Sequence, residues 1–480
     1  MGIHDDARDA VPASTMVTRR RFVASGALTL GLVALRPSAG LAQAPLAVRQ
    51  DVGTLDRNHS ILQSYTKAVQ VMSSRPASDP TGWQAQARIH QDFCPHSNWF
   101  FLPWHRAYLH RFEQICREAS GDKNFALPYW NWTRDPQIPS AFWGSGNALN
   151  HPRDIGRDFS MPAEFVGKTV VEDRILHLPD FEVFASRKAA RQRDRTGAGE
   201  LESTPHNNVH DIVGADMGTY LSPLDPIFWL HHANIDRLWA QWNDNGFPNT
   251  TDPDWLTFKF PQNFVTPDRT KVDGAVSDVL TTHMLGYRYD TQTEGPRSLA
   301  RNSTRFAPVA NLVASGTNSV PARPRVPLDV KLDAGKSILE KYNAVARPLM
   351  ASPSPERARA AASTAVRLTI DQVSPPKNPA AVFVRVFVNC DYLSVSTPIN
   401  DPHYVATFGF FRPAGGHGDH TDGAFVFDLT RALEKLQRAG SAPLENLRVQ
   451  LLALPRKPAS ESDVEVLAKR IQVSVVAAQQ

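Results

Sequence analysis

Through the first half of the chain, apolar positions recur at helical intervals; towards the end they alternate or run in short β-branched blocks. Asp225-Pro226 opens the clearest helix, an N-cap followed by proline at the first helical position. Phe228, Leu230, Ile235, Leu238 and Trp239 supply its apolar stripe. A second amphipathic stretch runs from Trp104 to about Glu118, and a third begins near Pro80-Thr-Gly-Trp83 and ends at His90. His206 and His210 stand four apart, so on a helix they project from one face. The simplest assembly is a four-helix bundle.

After it, Val320-Pro-Ala-Arg-Pro-Arg-Val-Pro327 and the polar stretch Arg347–Arg359 read as exposed linker, enclosing one short helix at Ala334–Val345. Val366–Val373, Ala381–Val388, Tyr404–Phe411 and Val449–Leu454 then predict strands of an antiparallel sandwich or small barrel. The expected fold class is therefore a mainly α four-helix-bundle domain over residues 45–311, a linker over 312–365, and a C-terminal all-β, sandwich-like domain over 366–478. The chain shows neither internal repeats nor coiled-coil heptads.

The N-terminus changes the compartment. Thr18-Arg19-Arg20-Arg21-Phe22 precedes an apolar run, Val23–Leu35, too short to span a bilayer, and then Ser38-Ala-Gly-Leu-Ala42. Twin arginines before such a run read as a Tat signal peptide over residues 1–42, cleaved after Ala42, for periplasmic or secreted delivery of folded protein. Its removal takes five arginines and three aspartates, so the net charge falls from +4 to about +2. That balance points to no nucleic-acid or membrane-surface partner. Three cysteines, Cys94, Cys116 and Cys390, exclude a disulfide framework. Cys116 lies on the apolar side of its helix and reads as core.

The chemistry lies in two histidine clusters: His90, His96 and His105, then His206, His210 and the pair His231-His232. A lone histidine in an apolar helix is usually a hydrogen-bonded core residue; the recurrence at i,i+4 beside a second His-bearing helix reverses that reading. Three neutral imidazoles can hold one ion and leave a position open, and they suit Zn, Cu, Fe or Ni rather than Mg or Ca. Adjacent helix residues point about 100° apart, so only one of His231 and His232 can face the metal. His110 turns about 140° away from His105 and reads as structural or exposed. A dizinc hydrolase usually has a bridging carboxylate, and neither cluster offers one.

These motifs also carry a resemblance. His206-Asn-x-x-His210 with Ser222-Pro-x-Asp225-Pro-x-Phe-x-x-His-His232-x-Asn-x-Asp236-Arg-x-Trp239 resembles the second copper motif of the tyrosinase and polyphenol oxidase family. Phe101-Leu-Pro-Trp-His105-Arg-x-Tyr-Leu-x-x-Phe-Glu113 resembles the first, and Leu127-Pro-Tyr-Trp-Asn-Trp132 the aromatic segment between them. The likeness covers about residues 50–290. It extends to plant-type polyphenol oxidases through Asp252-Pro-Asp254-Trp255-Leu256 and Leu285-Gly-Tyr287-x-Tyr289 (a middle segment over 252–290) and, more loosely, through the C-terminal domain. There Phe383-Val-Arg-Val386 stands where Lys-Phe-Asp-Val is usual.

The resemblance implies two copper ions in a binuclear centre, one on His90, His96 and His105, the other on His206, His210 and His232, with His231 not ligating. Substrates would be small phenols and O2, with ortho-hydroxylation of monophenols and oxidation of o-diphenols to o-quinones. A catechol or o-aminophenol oxidase without monophenolase activity, or a haemocyanin-like O2 carrier, are the alternatives, and a copper-delivery protein is a candidate partner. Cys94, two before His96, resembles the partner in a Cys–His thioether. Glu202 and Asn207 match positions that hold a water proposed as base for the phenol, with Glu200 a less well placed competitor. Thr219 matches a bulky gate residue, although a loop one residue shorter makes Tyr220 the other candidate. Asp236 reads as a partner for a ligand ring, a cap for a neighbouring helix, or one side of a surface salt bridge with Arg237 or another basic residue. The C-terminal domain would cover the copper entrance, to be released by proteolysis between 320 and 363. His417-Gly-Asp419-His420 is a candidate spare metal site.

Overall fold

The longer helices of the helical region are α1 (Ser60–Ser74), α2 (Trp83–Phe93), α3 (Phe101–Ser120), α4 (Asn207–Val213) and α5 (Ile227–Asp244), with single-turn helices between them. They come from a computed structural model that describes residues 45–292, 305–317, 320–333, 340, 342, 344, 364–411, 423–439, 446–457 and 463–479. The leader (1–42), most of the short helix expected at 334–345, the cleavable stretch 351–363 and the 417–420 metal candidate lie outside the described residues. Residues from Pro45 onward form one compact unit.

Helix α3 starts three residues before the expected Trp104. Pro103 sits in its first turn, where a missing N–H costs nothing, and Gly121 ends it at φ 76°. The start of α5 follows the predicted cap: Asp225 Oδ1 accepts from the Ile227 N–H at 3.1 Å, while both arms of Arg153 grip the same carboxylate at 2.7 and 2.8 Å. The helix expected to carry His206 and His210 is present, with His206 as its helical N-cap, but the chain enters it through a different kind of turn. Pro205 cannot donate to the helical ladder, so Glu202–His206 forms a π turn before α4 begins. The two rings still meet, with centroids 4.6 Å apart.

Two small sheets brace this region. The hairpin of β2 (Lys259–Val265) and β3 (Lys271–Ala275) packs on α3, and β1 (Ala47–Arg49) pairs in parallel with β4 (Tyr287–Tyr289). The β1/β4 pair explains Tyr287-x-Tyr289. Both hydroxyls donate to Asp236 Oδ2 at 2.6 Å, and Arg106 and Arg49 close the same carboxylate at 2.5 and 3.4 Å. Asp236 therefore neither supports a ligand ring nor pairs with Arg237, which donates instead to Asn234 and Gln241.

The C-terminal domain is a sandwich of two four-stranded sheets, antiparallel throughout, as expected in kind. One sheet runs β10 (Gly423–Asp428), β7 (Thr364–Ser374), β12 (Leu467–Gln479), β5 (Arg305–Gly316). The other runs β6 (Leu328–Asp333), β11 (Asn446–Pro455), β8 (Val382–Val388), β9 (Tyr404–Gly409). One helix, α6 (Thr430–Arg438), packs beside them.

The expected boundaries are corrected. Strands β5 and β6 place residues 305–316 and 328–333 in the sandwich, not in a helical domain ending at 311 or a linker over 312–365. Both are edge strands, where Pro308 and proline-rich flanks are tolerated, and those prolines are what made the segments read as linker.

The sandwich is docked on the helices. Ala198 pairs with β10 through N–H···O bonds of 2.9 and 3.0 Å, extending that sheet by one residue of the helical region. Arg367 reaches Asp180 and Glu182, Arg385 reaches Glu164, and Arg187 reaches Asp371.

Candidate metal centre

All six histidines expected at the centre are buried, and the structure brings them together as two abutting groups. His90 lies on α2, His96 in the turn after it, and His105 on α3. His206 ends the π turn, His210 lies on α4 and His232 on α5. Across the two groups the His105 and His232 rings stack with centroids 4.4 Å apart and planes 11° from parallel. Ions held by them would be near neighbours.

Hydrogen bonds set which nitrogen of each ring is bare. His90 Nδ1 donates to the Tyr220 carbonyl (2.7 Å), His105 Nδ1 to Phe101 (2.7 Å) and His210 Nδ1 to Met217 (2.6 Å). A carbonyl only accepts, so each proton sits on Nδ1 and each Nε2 keeps its lone pair. His206 is fixed indirectly. The Asn207 amide nitrogen donates to the Gly409 carbonyl at 3.0 Å, which turns its oxygen toward His206 Nδ1 at 2.9 Å.

The buried Nε2 atoms of His90, His96, His105 and His206 have no hydrogen-bond partner. Those of His210 and His232 lie 3.2 Å apart, the spacing of two imidazoles sharing an ion at about 2 Å each. Burial, then the neighbouring rings or cations, holds these histidines below ordinary basicity, His90 down to about 3, so all are neutral near pH 7. Bare, neutral and convergent nitrogens are what a metal needs.

His231 lies close enough to count with the second group. However, the Trp132 indole N–H donates to its Nδ1 at 3.2 Å, so its proton is on the unpartnered Nε2 and neither nitrogen offers a lone pair to a metal. His110 stands apart, with Nε2 3.1 Å from the Gln114 amide.

The surrounding candidates separate. Glu202 is buried; Oε1 accepts from the Ser97 N–H (2.7 Å) and Oε2 from the Ser186 hydroxyl (2.6 Å). Burial raises its carboxyl to about 7, against the lowering effect of those bonds. Glu200 turns away to the sandwich, accepting from the Asp428 N–H at 3.0 Å and pairing with Arg174. Cys94 is buried, which pushes its thiol up. Thr219 uses its hydroxyl within its own turn, bonded to the Asp216 carbonyl and the Leu221 N–H. Tyr220 is the residue against the histidines, stacked on His96 with centroids 4.9 Å apart. Of the two gate candidates, Tyr220 is the one whose ring packs against a histidine of the site.

Sequence reasoning missed Phe411. It follows β9 and sets its ring 4.3 Å from His210, 4.9 Å from His96 and 5.1 Å from Tyr220 (centroid distances). Nothing local marks it, since the contact arises only when a strand end of the sandwich meets a site some 200 residues earlier.

Comparison with known proteins fits this geometry. A family model described as the common central domain of tyrosinase matches residues 64–176 and 163–245, a span that holds all six histidines. The chain is 29% identical over 488 residues to the tyrosinase HcTyr1 of Hahella sp. (strain CCB-MM4), covering 89% of this chain and 99% of that one. Residues 64–245 thus carry a tyrosinase-type central domain. The chain is 30% identical to a chloroplastic polyphenol oxidase of Malus domestica over 52% of this chain and 49% of the relative, so it spans about half the length of such plant relatives. Latent apple tyrosinase shares the fold at 20% identity (TM-score 0.64, 91% of this chain and 97% of that one), as does latent aurone synthase at 22% (0.68, 92% and 91%). Within that tyrosinase-type domain, the two imidazole groups fit a binuclear copper centre.

Proposed function

We propose that this protein oxidises phenols with O2, converting o-diphenols to o-quinones and hydroxylating monophenols at the ortho position. The observation that carries the reading is the set of six buried, neutral imidazoles in two abutting groups, three of which (His96, His206 and His210) lie against the ring of Phe411. When bound, the copper pair supplies the electrons that reduce O2 and the oxidising power that acts on the phenol. His90, His96 and His105 would hold one ion and His206, His210 and His232 the other. The buried walls exclude water, and Tyr220 together with Phe411 controls which ring can stack against His96.

A monophenol needs a base, because a phenol of pKa about 10 is almost wholly protonated at neutral pH. Glu202, with its carboxyl at about 7, can take up that proton directly or through a water. One observation favours the second reading, a catechol or o-aminophenol oxidase: both polar ends of Asn207 are engaged, by His206 and Gly409, which leaves it poorly placed to help hold a water.

The remaining expectations belong to the same proposal. Cys94 and His96 form a thioether, supported by the burial of both side chains and by a His96 ring whose two nitrogens are unpartnered. The twin-arginine leader sends the folded protein out of the cytoplasm; among the described residues no helix is long and apolar enough to cross a membrane. Phe411 keeps the intact chain latent. Because ion pairs hold the sandwich in place, a cut between 320 and 363 activates only once those contacts also release.

Oxygen uptake by copper-loaded protein, intact and cut near Arg359, tests the reading with tyrosine, with catechol and without substrate. Uptake on both phenols, with a lag on tyrosine, is expected. Uptake on catechol alone supports the diphenol reading, and reversible colour without consumption would mean an O2 carrier. Equal activity before and after release of the sandwich would end the latency idea.

A further inference from the structure

Between α3 and α4 the loop Arg187-Lys-Ala-Ala-Arg-Gln-Arg-Asp-Arg195 carries five cations and one acid. Most are neutralised: Arg187 pairs with Asp371, Lys188 with Asp252 and Asp254, and Arg191 with Asp194. Arg193 and Arg195 form no direct ion pair among the described residues, although the Arg195 charge reaches Glu202 and opposes the rise of its carboxyl. Arg193 is exposed and donates only to the Asp92 carbonyl. The loop is pinned to the metal centre, since the Thr196 and Gly197 N–H groups both donate to the Ser97 carbonyl, one residue beyond His96.

Arg195 lies at the rim of the site. Its two terminal nitrogens make long bonds, 3.4 Å to the Tyr220 hydroxyl and 3.5 Å to the Phe411 carbonyl, and its buried Nε has no partner. Tyr220 stacks on His96, so the guanidinium stands at the outer end of that ring. Phe411 shows what such a rim can hold. Its phenyl ring occupies the space over the histidines while its carbonyl oxygen, an acceptor at the tail of the ring, is met by Arg195.

From this juxtaposition, and resting on the phenol-oxidase reading above, we propose that Arg195 is a specificity-determining residue. It selects phenols that carry a carboxylate on a short tail opposite the reacting hydroxyl, with Arg193 adding to the attraction. When Phe411 withdraws, the Arg195 fork loses its carbonyl partner, and a substrate carboxylate takes that place with two charge-assisted bonds. The two cations without a direct ion pair also draw anionic phenols toward the mouth, an effect that salt screens.

The test compares two diphenols with the same reacting ring, neutral 4-methylcatechol and 3-(3,4-dihydroxyphenyl)propionate. Full-length copper-loaded protein is used, both unmodified and as the Phe411→Ala variant, so that the measurement does not depend on one protein folding. The quantity read is the ratio of kcat/KM for acid over neutral substrate, which cancels effects common to both. Arg195→Gln is expected to lower that ratio about tenfold or more, mainly through KM of the acid, with Arg195→Lys recovering part of it. Raising salt should lower the ratio for the unmodified residue and leave it flat in Arg195→Gln.

Equal loss on both substrates, or an unchanged ratio, overturns the proposal and leaves Arg195 a structural residue. Failure of the broader reading would look different: neither diphenol would be consumed by any variant. In that case equilibrium dialysis of the same two compounds still decides, since a carboxylate preference that Arg195→Gln does not reduce overturns the proposal without any turnover.

Discussion

The two histidine groups are built from the same parts and held in different ways. In the first, His105 takes its orientation from the Phe101 carbonyl one turn earlier in its own helix, and His90 from the Tyr220 carbonyl, both within the helical region. In the second, His206 depends on Asn207, whose amide is set by Gly409 of β9. The segment around it is bound to the sandwich at several points: Ala198 to β10, Thr204 to the Thr407 carbonyl at 2.6 Å, and Asn208 and Asp211 to Arg456. The first site is thus complete within the helices, whereas the second is finished by a domain that also covers it. A cover that supports what it covers cannot be removed without loosening one copper more than the other.

The largest effect that breaks this comparison comes from the ligands themselves. His210→Ala should leave about one copper per chain and lower phenol turnover by at least about 1000-fold, because each ion alone lacks the second electron; His105→Ala should do the same from the other side. Metal analysis beside oxygen uptake checks it, and a His210→Ala protein that keeps two coppers would remove the residue from the site.

Next is Arg456→Ala, which strips Asp211 of its cation. Burial raises the Asp211 carboxyl to about 8, with Arg456 opposing, so protonation relieves part of the cost; a loss of about 2 kcal/mol in stability is expected. Copper counted during chelator titration should leave the second site earlier than in the unmodified protein, with the first unchanged. Parallel loss from both sites would erase the asymmetry.

A smaller and more selective effect belongs to Glu202. Its folded carboxyl, raised to about 7, is protonated below that pH and able to accept a proton above it, so monophenol turnover should rise as pH passes through about 7 while diphenol turnover does not follow. Glu202→Gln should flatten that rise and cost about 100-fold on monophenols. Equal losses on both substrate types would assign Glu202 to holding Ser97 and Ser186 in place.

Cys94→Ser should have the mildest effect, severalfold in turnover at most. The decisive reading is mass: the unmodified peptide spanning Cys94 and His96 should be lighter by two hydrogen atoms than its unlinked sequence. A free thiol in that peptide would end the thioether idea.

What was legible in the sequence follows from what is local. The helices were readable because Asp225-Pro226 marks one start and apolar stripes recur within one segment. Both histidine sets were readable because spacing and motif sit in short windows. The π turn before α4 was not read from the sequence, although Pro205 sits inside it. Partnerships across distance were not readable. Asp236 looked like a helix residue near a ligand, and its real partners, Arg49, Tyr287 and Tyr289, come from strands at opposite ends of the helical region. Phe411 read as the end of an ordinary strand, and Arg195 was not singled out at all. The edge strands β5 and β6 were hidden by prolines that only an edge accepts.

The most direct test of the central claim is the copper content of purified, copper-loaded full-length protein, measured together with its absorption under O2. The account predicts two copper atoms per chain and a strong near-ultraviolet band that appears with O2 and is lost when either copper is removed. One copper or fewer per chain, or two coppers with no such band, would contradict it.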